Sequence, residues 1–316
     1  MTGWTTEEKN LLADAAVRAP SVHNTLPWVL ELPELPDGGR VAELYERFDR
    51  ALPRHDPRGR DRLISCGAAL EHVRIGSRVL GWAPEVALFP DPDRRDLVAR
   101  VHARHRTTPS DADTRAYAAV RARRSHRKPF GPAPVAEHTV RWLIAANHTD
   151  GTGVRRVRGE EETRALARLL THAAQALRDD RGYQRELAAW TSAVRDPLPG
   201  TGISSALRRT ATMPWAGLVR RTTAVPDVET LAARLSGECL LLVETPDDGR
   251  RDHVLAGAAT ESVWLAAVGG GLTGALLTQP FQLSEVRAGL VEALSLNGFP
   301  QVLLRLGWRA GHDEEA

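Results

Sequence analysis

Cysteine is nearly missing from this 316-residue chain: Cys66 and Cys239 are the only two, and they form no CxxC. That excludes a disulfide framework or a cysteine-rich metal site and makes a reducing cytoplasm the expected setting. Whether the two thiols pair stays open. Lysine is as rare, at Lys9 and Lys128, so nearly all of the 42 basic residues are Arg, the better residue for planar phosphate contacts. Formal net charge is only +2, too small to imply a polyanionic partner. No apolar run approaches the length of a membrane span, and the opening MTGWTTEEKNLL is acidic where a secretory signal would be basic. HExxH and GxSxG are missing, and His102 and His105 have no acidic or cysteine partner at ligand spacing.

What is present suits a folded α+β chain. Hydrophobic residues make up 42% and charged residues 26%, enough for a core without disulfide or metal. Thr5 and Glu8 form a capping box for a helix over 6–17, ended at Pro20. WVLEL (28–32), VAELY (41–45) and PEVALF (84–89) read as strands. A long helix is predicted over 56–81, with Asp56 as cap and Pro57 in the first turn. TTPSDADT (107–114) reads as a linker, which divides the chain into halves 1–108 and 109–316. Helices are expected over 135–146, 161–178 and 253–268, and strands over 238–244 and 302–308. Residues 196–226, with four prolines, read as a lid or binding loop. GGGLTG (269–274) follows a helix rather than a strand, so it reads as a helix stop and not a dinucleotide fingerprint. Shifted by 130, LLADAA (11–16) falls on RWLIAA (141–146), a weak internal repeat.

Two short stretches carry chemistry. RRSHRKPF (123–130) surrounds Ser125 with Arg123, Arg124, Arg127 and Lys128, donors that match phosphate oxygens. Taken alone it reads rather as a solvated basic run or a nonspecific nucleic-acid patch, although no aromatic residues interleave for nucleic-acid stacking. APSVHNTLPW (19–28) is a Pro-centred turn in which Ser21 and Asn24 can hydrogen-bond the polar edge of a ring. Alone it is equally an ordinary turn before a strand.

Together, RRSxR followed by a helix and APSxxNxxPW resemble the signatures of nitroreductase-like FMN flavoproteins. RAPSVHNTLPW, LISCGAALEHVRIGSRVLGW, LLTQPFQLSEVR and FPQVLLRLGW further resemble the Acg-type branch over most of the chain. The resemblance implies a pseudo-dimer of two fused halves, each with a small antiparallel sheet packed by helices, and one composite FMN site. It places Arg123, Ser125 and Arg127, with Arg309, on the phosphate and ribityl chain. Pro20, Ser21, His23 and Asn24 fall beside the ring, and Thr278 and Gln279 pass its N5. Two departures stand out: Leu26 replaces a usual Gln, and Pro280 lacks an N–H. A second potential site has neither signature and is expected to stay empty. The implied activity is hydride transfer from NAD(P)H through FMN to an electron-poor acceptor such as a nitroaromatic, a quinone or a biosynthetic intermediate. No catalytic side chain, metal, nucleic acid or membrane is expected, and the protein would be a monomeric pseudo-dimer or a homodimer. The alternative is a flavin storage protein whose 196–226 lid covers the ring.

Overall fold

The computed structural model describes residues 3–191 and 219–310. Most of the expected lid, residues 196–218, lies outside the described residues.

The first half of the chain runs α1 (Thr6–Val17), β1 (Trp28–Glu31), β2 (Val41–Glu46), α2 (Arg60–Val79), β3 (Trp82–Leu88) and β4 (Leu97–Arg106). After α3 (Asp111–Ala122) come α4 (Glu137–Ala145), β5 (Gly153–Arg156), α5 (Gly159–Asp179) and α6 (Arg181–Thr191). The remaining elements are α7 (Val228–Ser236), β6 (Cys239–Thr245), α8 (Arg250–Gly269), β7 (Thr273–Leu277), α9 (Ser284–Ala293) and β8 (Phe299–Gly307). The strands make two four-stranded antiparallel sheets, ordered β1-β2-β4-β3 and β5-β6-β8-β7. Each set follows the same plan, first-second-fourth-third, with one 20-residue helix between its second and third strands. The architecture is α+β, and α1 and α4 stand at corresponding places in the repeat.

Several expectations are corrected. The helix predicted over 56–81 begins at Arg60, behind Gly59 in the left-handed region at φ 72°. Asp56 is not its N-cap; its Oδ2 accepts from the Arg62 N–H at 2.8 Å, so it satisfies one orphan donor of the first turn from outside the helix. The second half of the predicted linker is helical, because Ser110 and Asp113 form a capping box for α3. Helix-forming residues there outweighed the polar composition. β4, the strand between β2 and β3 in its sheet, was not expected: its alternating Arg and His residues look like surface charge. Cys66 and Cys239 are buried and unpaired.

The two 20-residue helices, α2 from the first half and α8 from the second, cross at close range. Their contact is built on Gly67 and Gly257. A Cβ on Gly67 would lie 2.0 Å from the Val254 carbonyl oxygen, and one on Gly257 would lie 1.9 Å from that of Ile64. Each glycine faces the residue three before the other, so the crossing has approximate twofold symmetry. Only a residue without Cβ lets two backbones approach so closely. Arg60 and Arg250 extend the symmetry. Arg60 Nη1 donates to the Gln301 carbonyl at 2.5 Å, while Arg250 Nη2 donates to Glu46 at 2.7 Å, each tying one long helix to the other sheet.

Candidate functional site

The site grows out of this crossing. Asp61, Ile64, Ser65 and Ala68 on α2, with Gly257, Thr260 and Glu261 on α8, form one wall of an inner cleft. α1 ends at Arg18, and the chain then turns over the cleft through Pro20, Ser21, Val22 and His23. This turn is strained: His23, Asn24 and Leu26 all have positive φ, at 48°, 54° and 47°. Asn tolerates that region, but His and Leu each give up about 1 kcal/mol or more there. The turn is held by the Leu26 N–H donating to Ser21 Oγ at 3.1 Å and the Val22 N–H donating to Ser65 Oγ at 3.2 Å.

The basic stretch arrives from the opposite side. It leaves the C-terminus of α3 and lies along β7, where the His126 N–H donates to the Gly274 carbonyl at 2.7 Å. Ser125 and Arg127 then line the inner cleft, as do Leu276, Thr278 and Gln279 at the end of β7. The two stretches, a hundred residues apart in sequence, therefore face one space.

A second cavity, of about 370 Å³, shares Ser125 and Arg127 with the inner cleft and adds His126, Lys128, Pro129 and Arg309. Its lining is strongly basic. Arg127 is half-buried and has no ion-pair or hydrogen-bond partner among the described residues. Burial, and then the nearby Arg123 charge, lower its pKa. A cation held in that state stabilises any anion that reaches it. The inner cleft is tighter, at about 80 Å³.

Arg123 faces elsewhere. Its Nη2 donates to the Arg18 carbonyl at 2.8 Å, its Nε lies 3.3 Å from Glu261, and its guanidinium sits 4.6 Å over the Trp264 ring. It therefore pins the basic stretch to the end of α1 and to α8, rather than reaching into either cavity. Asn24 is exposed and outside the lining of the inner cleft. Of the residues singled out from the sequence, Pro20, Ser21, His23, Ser125, Arg127, Thr278 and Gln279 meet at the inner cleft, and Arg309 at the basic cavity.

Behind the cleft lies a cluster that sequence reasoning missed. His23 meets His55 edge-to-face at 4.3 Å, and His55 stacks on Tyr183 at 4.0 Å. His55 Nδ1 lies 2.6 Å from Glu186. Burial, then His55 and Arg127, push His23 well below the ordinary histidine range, so its ring is neutral at pH 7. Glu261, also missed, is fully buried, and His72 Nε2 lies 2.7 Å from its Oε1. Glu71, four residues after Gly67 as Glu261 is four after Gly257, is met instead by Arg74 at 2.7 Å. For Glu261 the one sequence signal is a charged residue on the core face of an otherwise apolar helix.

Fold and geometry define a two-sheet α+β protein in which the two stretches face one inner cleft with a basic cavity beside it. No protein-family model matches the chain. A Mycobacterium tuberculosis H37Rv protein named "Putative NAD(P)H nitroreductase Rv3131" is 32% identical over 300 residues, covering 93% of this chain and 83% of that protein. A second nitroreductase-named protein of that strain, acg, is 26% identical over 315 residues, covering 96% and 89%. The chain belongs to this NAD(P)H nitroreductase family, in the branch that includes acg. Among solved structures, the FMN-dependent nitroreductase NfnB of Mycobacterium smegmatis in complex with NADPH is similar at 19% identity and TM-score 0.40, covering 63% of this chain and 89% of that one. A Bacteroides fragilis nitroreductase with bound FMN is similar at 16% identity and TM-score 0.39, covering 64% and 91%.

Proposed function

We propose that the chain is an FMN-dependent NAD(P)H oxidoreductase, reducing a small electron-poor acceptor such as a nitroaromatic, a quinone or a biosynthetic intermediate. The observation that carries this reading is Arg127: a half-buried guanidinium without an anionic partner among the described residues, on the wall shared by a basic cavity and a narrow cleft. The donor set fits FMN. Arg127, Lys128, Arg309 and the Ser125 hydroxyl would hold the phosphate and the ribityl chain. Pro20, Ser21 and His23 from one side, and Thr278 and Gln279 from the other, would enclose the ring. Arg123 and Asn24 would position the two stretches rather than touch the flavin. Bound FMN supplies hydride acceptance and donation at its ring N5. The chain's own part is to orient that ring, to exclude water with the α2–α8 wall, and to keep a neutral imidazole at His23.

The halves 1–108 and 109–316 are proposed as the two units of a pseudo-dimer. Each four-stranded sheet falls wholly inside one of them. A second reading, storage of flavin with little turnover, is favoured by the inner cleft itself. Its volume of about 80 Å³ is well under the roughly 300–1,000 Å³ of ordinary small-molecule sites. A ring can enter only if the walls part, and a co-substrate stacked on it needs further room.

One experiment separates these readings. The purified protein is loaded with FMN and mixed anaerobically with NADPH and with NADH. Rapid bleaching of the flavin supports the oxidoreductase, and bound but unbleached flavin supports storage. A protein that takes up no FMN at micromolar concentration overturns both.

A further inference from the structure

Two carboxylates of the inner cleft belong to neither the phosphate end nor the turn that covers the ring. Asp61, in the first turn of α2, is 1% exposed, and neither of its oxygens accepts a hydrogen bond from the described residues. Its nearest compensation is Arg60, whose Nη2 stands 3.0 Å from Oδ1. Arg60 directs its hydrogen bonds elsewhere, to the carbonyls of Gln301 and Thr278 at 2.5 and 3.1 Å. Glu261, on α8, is fully buried; His72 and Arg123 converge on its Oε1, and its Oε2 has no hydrogen-bond partner among the described residues.

A buried carboxylate that accepts no hydrogen bond is expensive, and folds retain one where something else supplies the donor. Both residues line the inner cleft, so a molecule that fills the cleft is placed to supply the missing donors. Neither lines the basic cavity, whose residues suit an anion. The combined space is therefore differentiated: cationic at the Lys128–Arg309 end, and along the α2–α8 wall lined by carboxylate oxygens that lack donors among the described residues. A molecule with a phosphate at one end and N–H groups on a planar body matches this polarity. A nitro group offers only acceptor oxygens, and it does not satisfy Asp61.

We propose that Asp61 is the residue that accepts an N–H of the flavin ring and sets the ring's electron affinity, with Glu261 Oε2 adding to the same field. The proposal rests on the flavin reading above. A fixed negative charge beside the ring opposes added electron density, so the oxidised form is favoured over the reduced form and the midpoint potential is held low. Arg60, 3.0 Å from Asp61 Oδ1, offsets part of this charge, while Oδ2 meets no donor among the described residues and is left to the ring.

The test compares wild type with Asp61→Asn, which keeps the shape and removes the charge, and with Asp61→Ser, which guards against misfolding of the amide variant. Affinity for oxidised FMN is read by quenching of flavin fluorescence, and the midpoint potential by spectroelectrochemistry. In both variants the preference for oxidised over reduced FMN should fall about tenfold, seen as a rise of about 30 mV for the two-electron couple. A merely structural role would weaken both redox forms equally and leave the potential unmoved, and that result overturns the proposal. Wild type that takes up FMN while its variants keep its potential refutes this inference alone. Wild type that takes up no FMN refutes the flavin reading together with it.

Discussion

Replacing Gly257 by alanine tests the helix crossing on which the whole site stands. The new methyl would lie 1.9 Å from the Ile64 carbonyl oxygen, whereas real Cβ atoms keep at least 3.0 Å. The obstacle is backbone in a helix, so no side-chain rotation relieves it, and α2 and α8 must part by about 1 Å. Parting them loosens a contact packed with Ile64, Val243, Ala256, Ala259 and Val302, all buried. Overpacking of a core costs about 1–3 kcal/mol, occasionally more, and backbone against backbone belongs at the upper end. Against this, alanine in a helix interior is favoured over glycine by about 1 kcal/mol. The clash wins, and a net loss of about 2 kcal/mol is expected, read as a lower urea midpoint at unchanged slope. Gly67→Ala, whose Cβ would lie 2.0 Å from the Val254 oxygen, should cost a similar amount. One separation relieves both clashes, so the double variant should cost clearly less than the two singles together. Either alanine variant matching or exceeding wild-type stability would refute the close crossing.

Arg127→Ala should leave stability nearly unchanged while weakening FMN binding about tenfold to a hundredfold, the worth of one charge-assisted contact of roughly 1.5–3 kcal/mol; equal affinity in a titration argues against the phosphate assignment. Arg123→Ala should do the reverse, losing about 3 kcal/mol in chemical denaturation because Glu261 is left buried with only His72. Burial, then the Asp61 charge, raises Asp56 from 3.8 to about 6. A raised carboxyl contributes stability that is whole below pH 3.8 and is lost as pH climbs through about 6, so Asp56→Asn should gain stability at pH 7, on the order of 2–3 kcal/mol, and little at pH 4. A variant equally stable at both pH values would refute the assignment. His23 has the opposite sign: its lowered pKa gives stability present above pH 6.5 and lost as pH falls below it, so His23→Gln should flatten the acid limb of the stability profile.

The sequence by itself settled what local chemistry can settle. The capping box at Thr5 and Glu8, the apolar strands at 238–244 and 302–308, and the glycine stop after α8 lie where the residues placed them. Each depends on neighbours within a few positions. It also marked the two stretches that face the cleft, through their own turn and charge. What it hid depends on partners far along the chain. β4 reads as surface charge because only its pairing with β2 and β3 decides which of its alternate residues point inward. Arg123 and Arg127 are the same residue type four positions apart, and nothing local tells them apart. The tertiary structure does: Arg18 and Glu261 claim the first, while the second faces a basic cavity without an ion-pair partner among the described residues. Asp61 and Glu261 likewise look like ordinary helix acids until the Gly67–Gly257 crossing brings their helices together and buries both in one wall. Packing at long range, which sequence spacing does not encode, turned a turn and a basic run into a single site.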